Sequence, residues 1–504
     1  MSGDATPPND PKSDAASPQI GRDEWVARAG EQRAPRNALH LLRLELNRVP
    51  QVLLLALFVT GVALIPVLTS SQYIVRVAAD TMLYVLLAAG LNDAVGWAGL
   101  LDLGYVAFYG FAAYLFAELA SPHYGLHWPL WATLPIVIAA TILLGFLFAL
   151  PSRRLRGDYL AIVTLFFGQI FVTFTTQGYR WDWLGFGSLH DVTGGPSGLT
   201  NVDPWRILGH NLTQVRDYLW AALAGFVVIA IALTFANRSR TGRAWRALRD
   251  DALAAEVMSM PVNWMMLLAV AVGAGVAGYA GAINASYYQG VFPTSFAFPT
   301  LITVYAMVIL GGAGSLPGVV VGAVLVNVTL EVLRSPDHAR WVFYVLLLAG
   351  LLAKIRPWRA LVAVLGGVAV FGVVVHAIVG AVWPRGIAGG ISSGVFDFSK
   401  HGLLATVLRH WLVFPGHTYQ VNNYTLGNVA FVLLIALLLT LTVVKGWRRL
   451  ALLVPTIWLA AFVWETRLIE ESPTTRPLLL GVILIVLMAA RPQGLFGTAR
   501  VEIT

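Results

Sequence analysis

The residues best placed to do chemistry in this chain are acids set among apolar runs and one dense cluster of charge. Asp80, Asp93 and Asp102 interrupt stretches that are otherwise Leu, Ala, Gly and Val. An acid inside a bilayer is costly and is a functional suspect by default. Arg76 and Asp80 are four apart, the spacing of helical neighbours, and are expected to neutralise each other. Asp93 and Asp102 have no local partner. Either they sit solvated at the inner interface, or one of them faces a wet path or a partner. The charge cluster lies in "TGRAWRALRDDALAAEVMSMPV", Thr241–Val262, with Arg243, Arg246, Arg249, Asp250, Asp251 and Glu256. At helical spacing Trp245, Leu248 and Ala252 share one face, and Arg243, Arg246 and Asp250 another. Such a segment can lie on anionic lipid, sit solvated as a loop, or dock in a groove on a soluble partner. Catalytic chemistry is poorly represented. The chain has no cysteine and only ten histidines, scattered without an H-E-x-x-H, and no nucleophile motif. His376, alone in an apolar run, reads as a packed residue. There is no G-x-x-x-x-G-K-[ST] phosphate loop.

The elements that must position these residues are membrane-spanning helices. Of 504 residues 57% are hydrophobic and 12% charged, and the mean hydropathy is +0.71. A soluble domain carries about 25% charged residues. The formal charge of +8 is explained first by membrane orientation and not by nucleic acid. Length and apolarity predict about 14 spans near 50–69, 73–92, 100–119, 128–150, 158–178, 218–236, 264–287, 297–312, 316–334, 341–355, 358–383, 425–444, 449–465 and 477–490. Residues 1–48, rich in Pro, Ser, Asp and Arg, are expected to form a disordered cytoplasmic tail without a signal peptide. With the tail inside, alternation puts the basic clusters at Arg153, Arg154 and Arg156, at Thr241–Val262, at Lys354, Arg356 and Arg359, and at Lys445, Arg448 and Arg449 on one side, together with the C-terminus. That agreement supports the orientation. Two long outer segments, 179–217 and 384–424, have room for a docking surface or are solvated loops.

Six stretches resemble the permease subunit of branched-chain amino-acid ABC importers (the LivM-like family), the type that pairs with a second, shorter permease. They are "GLNDAVGWAGLLDLGYVAFYGFAAY" (Gly90–Tyr114), "RLRGDYLAIVTLFFGQI" (Arg154–Ile170), "TGGPSGL" (Thr193–Leu199), "GRAWRALRDDALAAEVMSMPV" (Gly242–Val262), "MVILGGAGSLPGVVVGA" (Met307–Ala323) and "RPQGLFG" (Arg491–Gly497). They occur in the family's order and cover most of 73–356 plus the last helix. The resemblance implies an all-α, polytopic importer permease. Residues 49–356 would be the core, 237–263 its cytoplasmic coupling segment, and 477–504 the final span and cytoplasmic C-terminus. Residues 357–476 would be an insertion of an even number of spans, best read as padding against a partner or lipid.

The resemblance also implies partners: ATP-binding cassette subunits, a second permease subunit and a periplasmic or extracellular solute-binding protein, in a bacterial inner membrane, with no cofactor, metal or nucleic acid. Coupling to the ATPase would fall to Gly242, Arg243, Arg246, Arg249, Asp250, Asp251, Ala254 and Ala255, with Arg249, Asp250 and Asp251 first. Asn92, Asp93, Gly96, Gly99, Asp102, Gly104 and Gln169 are candidates for the translocation path, and the glycines among them equally for close helix packing. Gly194, Gly195, Pro196 and Gly198 would face the binding protein or simply form a turn. "GGAGSLPG" (Gly311–Gly318) reads as a tight inner turn. The chain departs from the family at Asp93, usually apolar, Asp102, usually Ser, and Gln169, often Glu. These departures weaken any transfer of substrate, so urea, short amides and small organic acids stay open beside branched-chain amino acids. An ATP-independent secondary transporter is the alternative class; it predicts paired intramembrane charges or inverted repeats, and neither is evident.

Overall fold

The computed structural model describes residues 51–121, 126–152, 158–177, 193–207, 209–334, 336–355, 358–382, 411–412, 423–444, 446–470, 481 and 494–496. The N-terminal tail, the basic loop at Arg153–Arg156, most of the segment 384–424 and the expected span 477–490 apart from Gly481 lie outside the described residues. The chain divides into two compact units, Met1–Ala56 and Leu57–Thr504. Of the first, only residues 51–56 are described, and they are helical.

Apolar runs bounded by Gly, Pro and polar residues fold as helices throughout. They are α1 (Gln51–Leu68), α2 (Gln72–Asn92), α3 (Tyr105–Leu119), α4 (Leu130–Ser152), α5 (Asp158–Gln177), α6 (Val215–Arg238), α7 (Arg240–Asp250), α8 (Ala252–Val257), α9 (Val262–Tyr287), α10 (Phe298–Gly311), α11 (Leu316–Val332), α12 (Pro336–Lys354), α13 (Trp358–Val382), α14 (Asn423–Val443) and α15 (Trp447–Glu470). Among the described residues eight helices are long and apolar enough to cross a membrane, and five shorter apolar helices accompany them. A helix meets every expected span that the described residues cover. Two boundaries differ from expectation. The span expected from residue 100 begins at Tyr105, because α2 runs on as a π-helical turn, Asp93–Trp97, and the chain then reverses at Gly99. The charged segment is also two helices: Asp251 leaves the helical region (φ −155°, ψ 109°) and its carboxylate accepts from the Leu253 and Ala254 amides, capping α8.

Helix α9 is the centre of the larger unit, packed against α2, α3 and α4. It can be central because most of its buried positions are small, among them Gly273, Ala274, Ala277, Gly278, Ala280, Gly281, Ala282 and Ala285. Between apolar helices in lipid, close backbone approach replaces the hydrophobic drive that water would supply. A Cβ at Gly281 would lie 2.5 Å from the Tyr109 carbonyl oxygen and 2.8 Å from Ala112 Cβ on α3. Helices α6, α10 and α11 surround α2. Side-chain hydrogen bonds tie the bundle at Asn327 Nδ2 to Thr81 Oγ1 (2.8 Å), Tyr279 Oη to the Ala221 carbonyl (2.7 Å) and Tyr218 Oη with Ser286 Oγ (2.8 Å).

One end of the bundle carries short antiparallel pairs: β1 (Ala120–Ser121) with β2 (Leu126–His127), β3 (Leu199–Thr200) with β6 (Gly290–Val291), and β4 (Arg206–Ile207) with β5 (His210–Asn211). The other end carries α7 and α8. Helices α13–α15 have apolar clusters of their own, one at Leu412, Ala430, Ala461, Phe462 and Val463, another at Val364, Val368 and Ile457.

Replacing Gly281 by Ala should separate α3 from α9 and lower the thermal midpoint of the detergent-solubilised chain. The same change at Gly61, where a Cβ would meet nothing within 4 Å, should leave it unchanged or slightly raised, since Ala favours helix by about 1 kcal/mol. Equal midpoints for the two variants would contradict this account of the core.

Candidate functional site

Helix α7 is oriented by its own sequence. At 100° per residue Gly242, Trp245, Leu248 and Arg249 share one face, and Arg243, Arg246 and Asp250 the opposite one. The first three are buried and the last three exposed. Ser239 caps the helix, its hydroxyl accepting from the Gly242 amide at 3.4 Å. Gly242 packs on the Asn237 backbone at the α6–α7 corner. Trp245, 1% exposed, donates its indole N–H to the Met265 carbonyl at 2.9 Å and so pins α7 to α9.

Arg249 turns inward as well. Its guanidinium donates to the carbonyl of Gly96 in the π-turn. Carbonyls at a helix C-terminus lack intrahelical partners and carry the negative end of the dipole, so a cationic donor suits them. Two glycines admit the side chain. A Cβ at Gly99 (φ +71°) would stand 2.9 Å from Arg249 Cγ, and one at Gly314 (φ +94°) 2.6 Å from Arg249 Nη1. Both backbones are left-handed, where Gly alone is unstrained.

Gly314 sits in the turn between α10 and α11, and α2 binds it twice. The Gly314 amide donates to Asn92 Oδ1 at 2.7 Å, and Trp97 donates its indole N–H to the Gly314 carbonyl at 2.9 Å. The C-terminal motif joins the same turn: the Leu495 and Phe496 amides donate to the Leu310 and Gly311 carbonyls at 2.9 and 3.0 Å. One step away, the Leu103 amide donates to Thr164 Oγ1 at 2.9 Å, and a Cβ on Gly104 would lie 2.7 Å from the Thr164 carbonyl oxygen. Segments of five of the six motif stretches therefore meet at one end of the bundle. The sixth, at Gly194, Gly195, Pro196 and Gly198, is at the opposite end, where Leu199 pairs with Val291 and the bare Gly198 backbone lies against the Val291 carbonyl.

Of the path candidates, Asn92, Asp93, Gly96, Asp102 and Gly104 are buried, and Gly99 and Gln169 are exposed. Asp102 is buried; its carboxylate accepts from the Gly104 amide at 2.9 Å, and its carbonyl accepts from Tyr305 Oη at 2.6 Å. Asp93 is 0% exposed, and neither carboxylate oxygen has a hydrogen-bond partner among the described residues. Asn92 Nδ2 and Tyr105 Oη share that condition. Native chains seldom leave such groups unpaired, and those that do usually have a use for them. Gln169 lies apart, exposed on α5. Arg76 and Asp80 do approach each other, at 4.0 Å, and Asp80 accepts from Tyr288 Oη at 3.0 Å.

Of the coupling candidates, Arg243 and Arg246 reach neighbouring α6 groups, the Arg238 carbonyl at 3.4 Å and Asn237 Oδ1 at 3.1 Å. Asp250 and Ala254 are exposed and Ala255 is buried. Beside them Leu253 is 60%, Val257 83% and Met258 77% exposed. Trp97, Trp245, Tyr305 and Gly314 did not stand out as site residues by type. Their signal was position, each inside or next to a motif. No three His, Asp or Glu side chains gather as metal ligands among the described residues.

Known proteins of similar sequence match the region that holds this site. Residues 73–353 match the family model for the permease component of the branched-chain amino acid transport system. The high-affinity branched-chain amino acid transport system permease protein LivM of Salmonella typhimurium is 34% identical over 332 residues, 61% of this chain and 73% of the relative. LivM of Escherichia coli matches to the same extent. A second permease of that system, LivH of Salmonella typhimurium, is 28% identical over 125 residues, 25% of this chain and 39% of the relative. No solved structure matches. With its apolar helices, its glycine turns and the motifs that meet at Gly314, the chain is a multi-pass membrane protein of the branched-chain amino acid transport system permease family.

Proposed function

We propose that this chain is one of two permease subunits in an ATP-driven importer of the bacterial inner membrane, moving branched-chain or related small amino acids inward. The observation that carries the reading is the exposed face of α7–α8. It is a short helical pair that turns Arg243, Arg246 and Asp250 outward beside uncovered Leu253, Val257 and Met258. Charge around an exposed apolar centre is the composition of a docking surface. The relatives' names supply the rest: LivM and LivH are each called a permease protein of a high-affinity branched-chain amino acid transport system. The ATP-binding subunits dock on α7–α8, which makes that end cytoplasmic, in keeping with the basic residues there. Both termini are then cytoplasmic, and the solute-binding protein meets the β3–β6 end. Helices α13–α15 form a peripheral module with its own apolar contacts, outside the path.

Changing Arg243, Arg246 and Asp250 together to Ala should abolish co-purification of the ATP-binding subunits from native membrane, while the chain itself stays monodisperse. Its buried face is untouched by those changes. Recovery of the same subunits with the variant would argue against docking at this face.

Asp93 has a place in the same scheme. A buried acid without a partner is retained at a cost, and Asp93 belongs to the α2 turn that the inner end controls. Asp93→Asn keeps the shape and removes the acid. Solute uptake should fall about tenfold or more, the size of a typical coupling energy, with no loss of thermal stability. Unchanged uptake would remove Asp93 from the path.

A further inference from the structure

We propose that Arg249 is a positioning residue that carries the movement of α7 into the membrane core and makes no contact with the ATPase. This deepens the importer reading above and rests on it. Docking and transmission are different tasks, and α7 divides them between its faces. Among the described residues the outward face, with Arg243, Arg246 and Asp250, has no deep contact inside the chain. Arg249 lies among backbone atoms of two other elements, the π-turn of α2 and the α10–α11 turn.

Those two turns are already joined. Asn92 and Trp97 both hold Gly314, one on its amide and one on its carbonyl. A push on Arg249 therefore reaches α2, α10 and α11 as one body. The contact can bear load, since a cationic donor on a carbonyl makes a stronger hydrogen bond than a neutral pair, and it is partly buried. It also leaves little slack: the Gly99 backbone lies against the Arg249 stem and the Gly314 backbone against its head, with no side chain between. Asp93 is the first residue of the π-turn. Coupling needs an element that both ligands bias between states, and this turn touches both the helix that docks the ATPase and the buried acid.

The test uses the whole importer, permeases, ATP-binding subunits and binding protein, in proteoliposomes. Radiolabelled leucine uptake and ATP hydrolysis are measured together. Arg249→Ala should still co-purify with the ATP-binding subunits and still hydrolyse ATP, while leucine uptake falls about tenfold or more, so that more ATP is consumed per leucine moved. Arg249→Lys, which keeps a cationic donor, should recover part of the uptake. Gly314→Ala attacks the same contact from the other side and should uncouple in the same way. A residue that only stabilised the fold would lower uptake and hydrolysis together and leave their ratio unchanged, and that result would overturn the proposal. So would loss of the ATP-binding subunits with Arg249→Ala, which would make Arg249 a docking residue. Wild-type chain that captures no ATP-binding subunit would sink the importer reading itself.

Discussion

A helix that ends inside an apolar chain leaves carbonyls and amides that lipid cannot satisfy. At the end of the bundle that carries α7 and α8, the ends of α2, α10 and α11 lie within reach of one another, and they satisfy one another through Gly314. Its amide and carbonyl go to Asn92 and Trp97, and Arg249 fills the space that a side chain on Gly314 would have taken. The rest of the structure depends on that arrangement. The π-turn of α2 is pinned there, α7 is anchored there, and Leu495 and Phe496 close the same turn by bonding the last carbonyls of α10. Glycine is needed at 99 and 314 because a Cβ would collide with Arg249 and because both backbones are left-handed.

The bundle above this end is held by the same economy of side chains. Helix α9 buries Gly and Ala where a soluble core would bury Leu, and so α2, α3 and α4 approach its backbone closely. Polar pairs such as Asn327 with Thr81 fix the depth at which helices meet. Asp93 stands out against this background. Asn92 Oδ1 and the Trp97 indole on the same turn are both bonded to Gly314, yet the Asp93 carboxylate is unbonded among the described residues.

Much of this was legible in the sequence, for physical reasons. Span positions follow from apolar length, and the helices fall where length placed them. The outward face of α7 was legible from the three- and four-residue spacing of Arg243, Arg246 and Asp250. Arg249 was harder. Residue type grouped it with the charges that greet a partner, whereas its spacing of four from Trp245 puts it on the buried face. The break at Asp251 was hidden because Asp suits both a helix end and a helix start, and the sequence showed a continuous amphipathic run. The partners of Gly314 were beyond reach, since Asn92 and Trp97 lie 222 and 217 residues away along the chain and no local pattern encodes such a pairing.

The central claim is that the motifs meet at a cytoplasmic end whose exposed face is covered by a partner. The chain contains no cysteine, so one introduced at Val257, 83% exposed, reports on that face alone. The measurement is its labelling by a membrane-impermeant maleimide in right-side-out and inside-out vesicles, with and without the ATP-binding subunits. The account predicts labelling only in inside-out vesicles, and protection when those subunits are present. Labelling from the outer side, or labelling indifferent to the subunits, would contradict it.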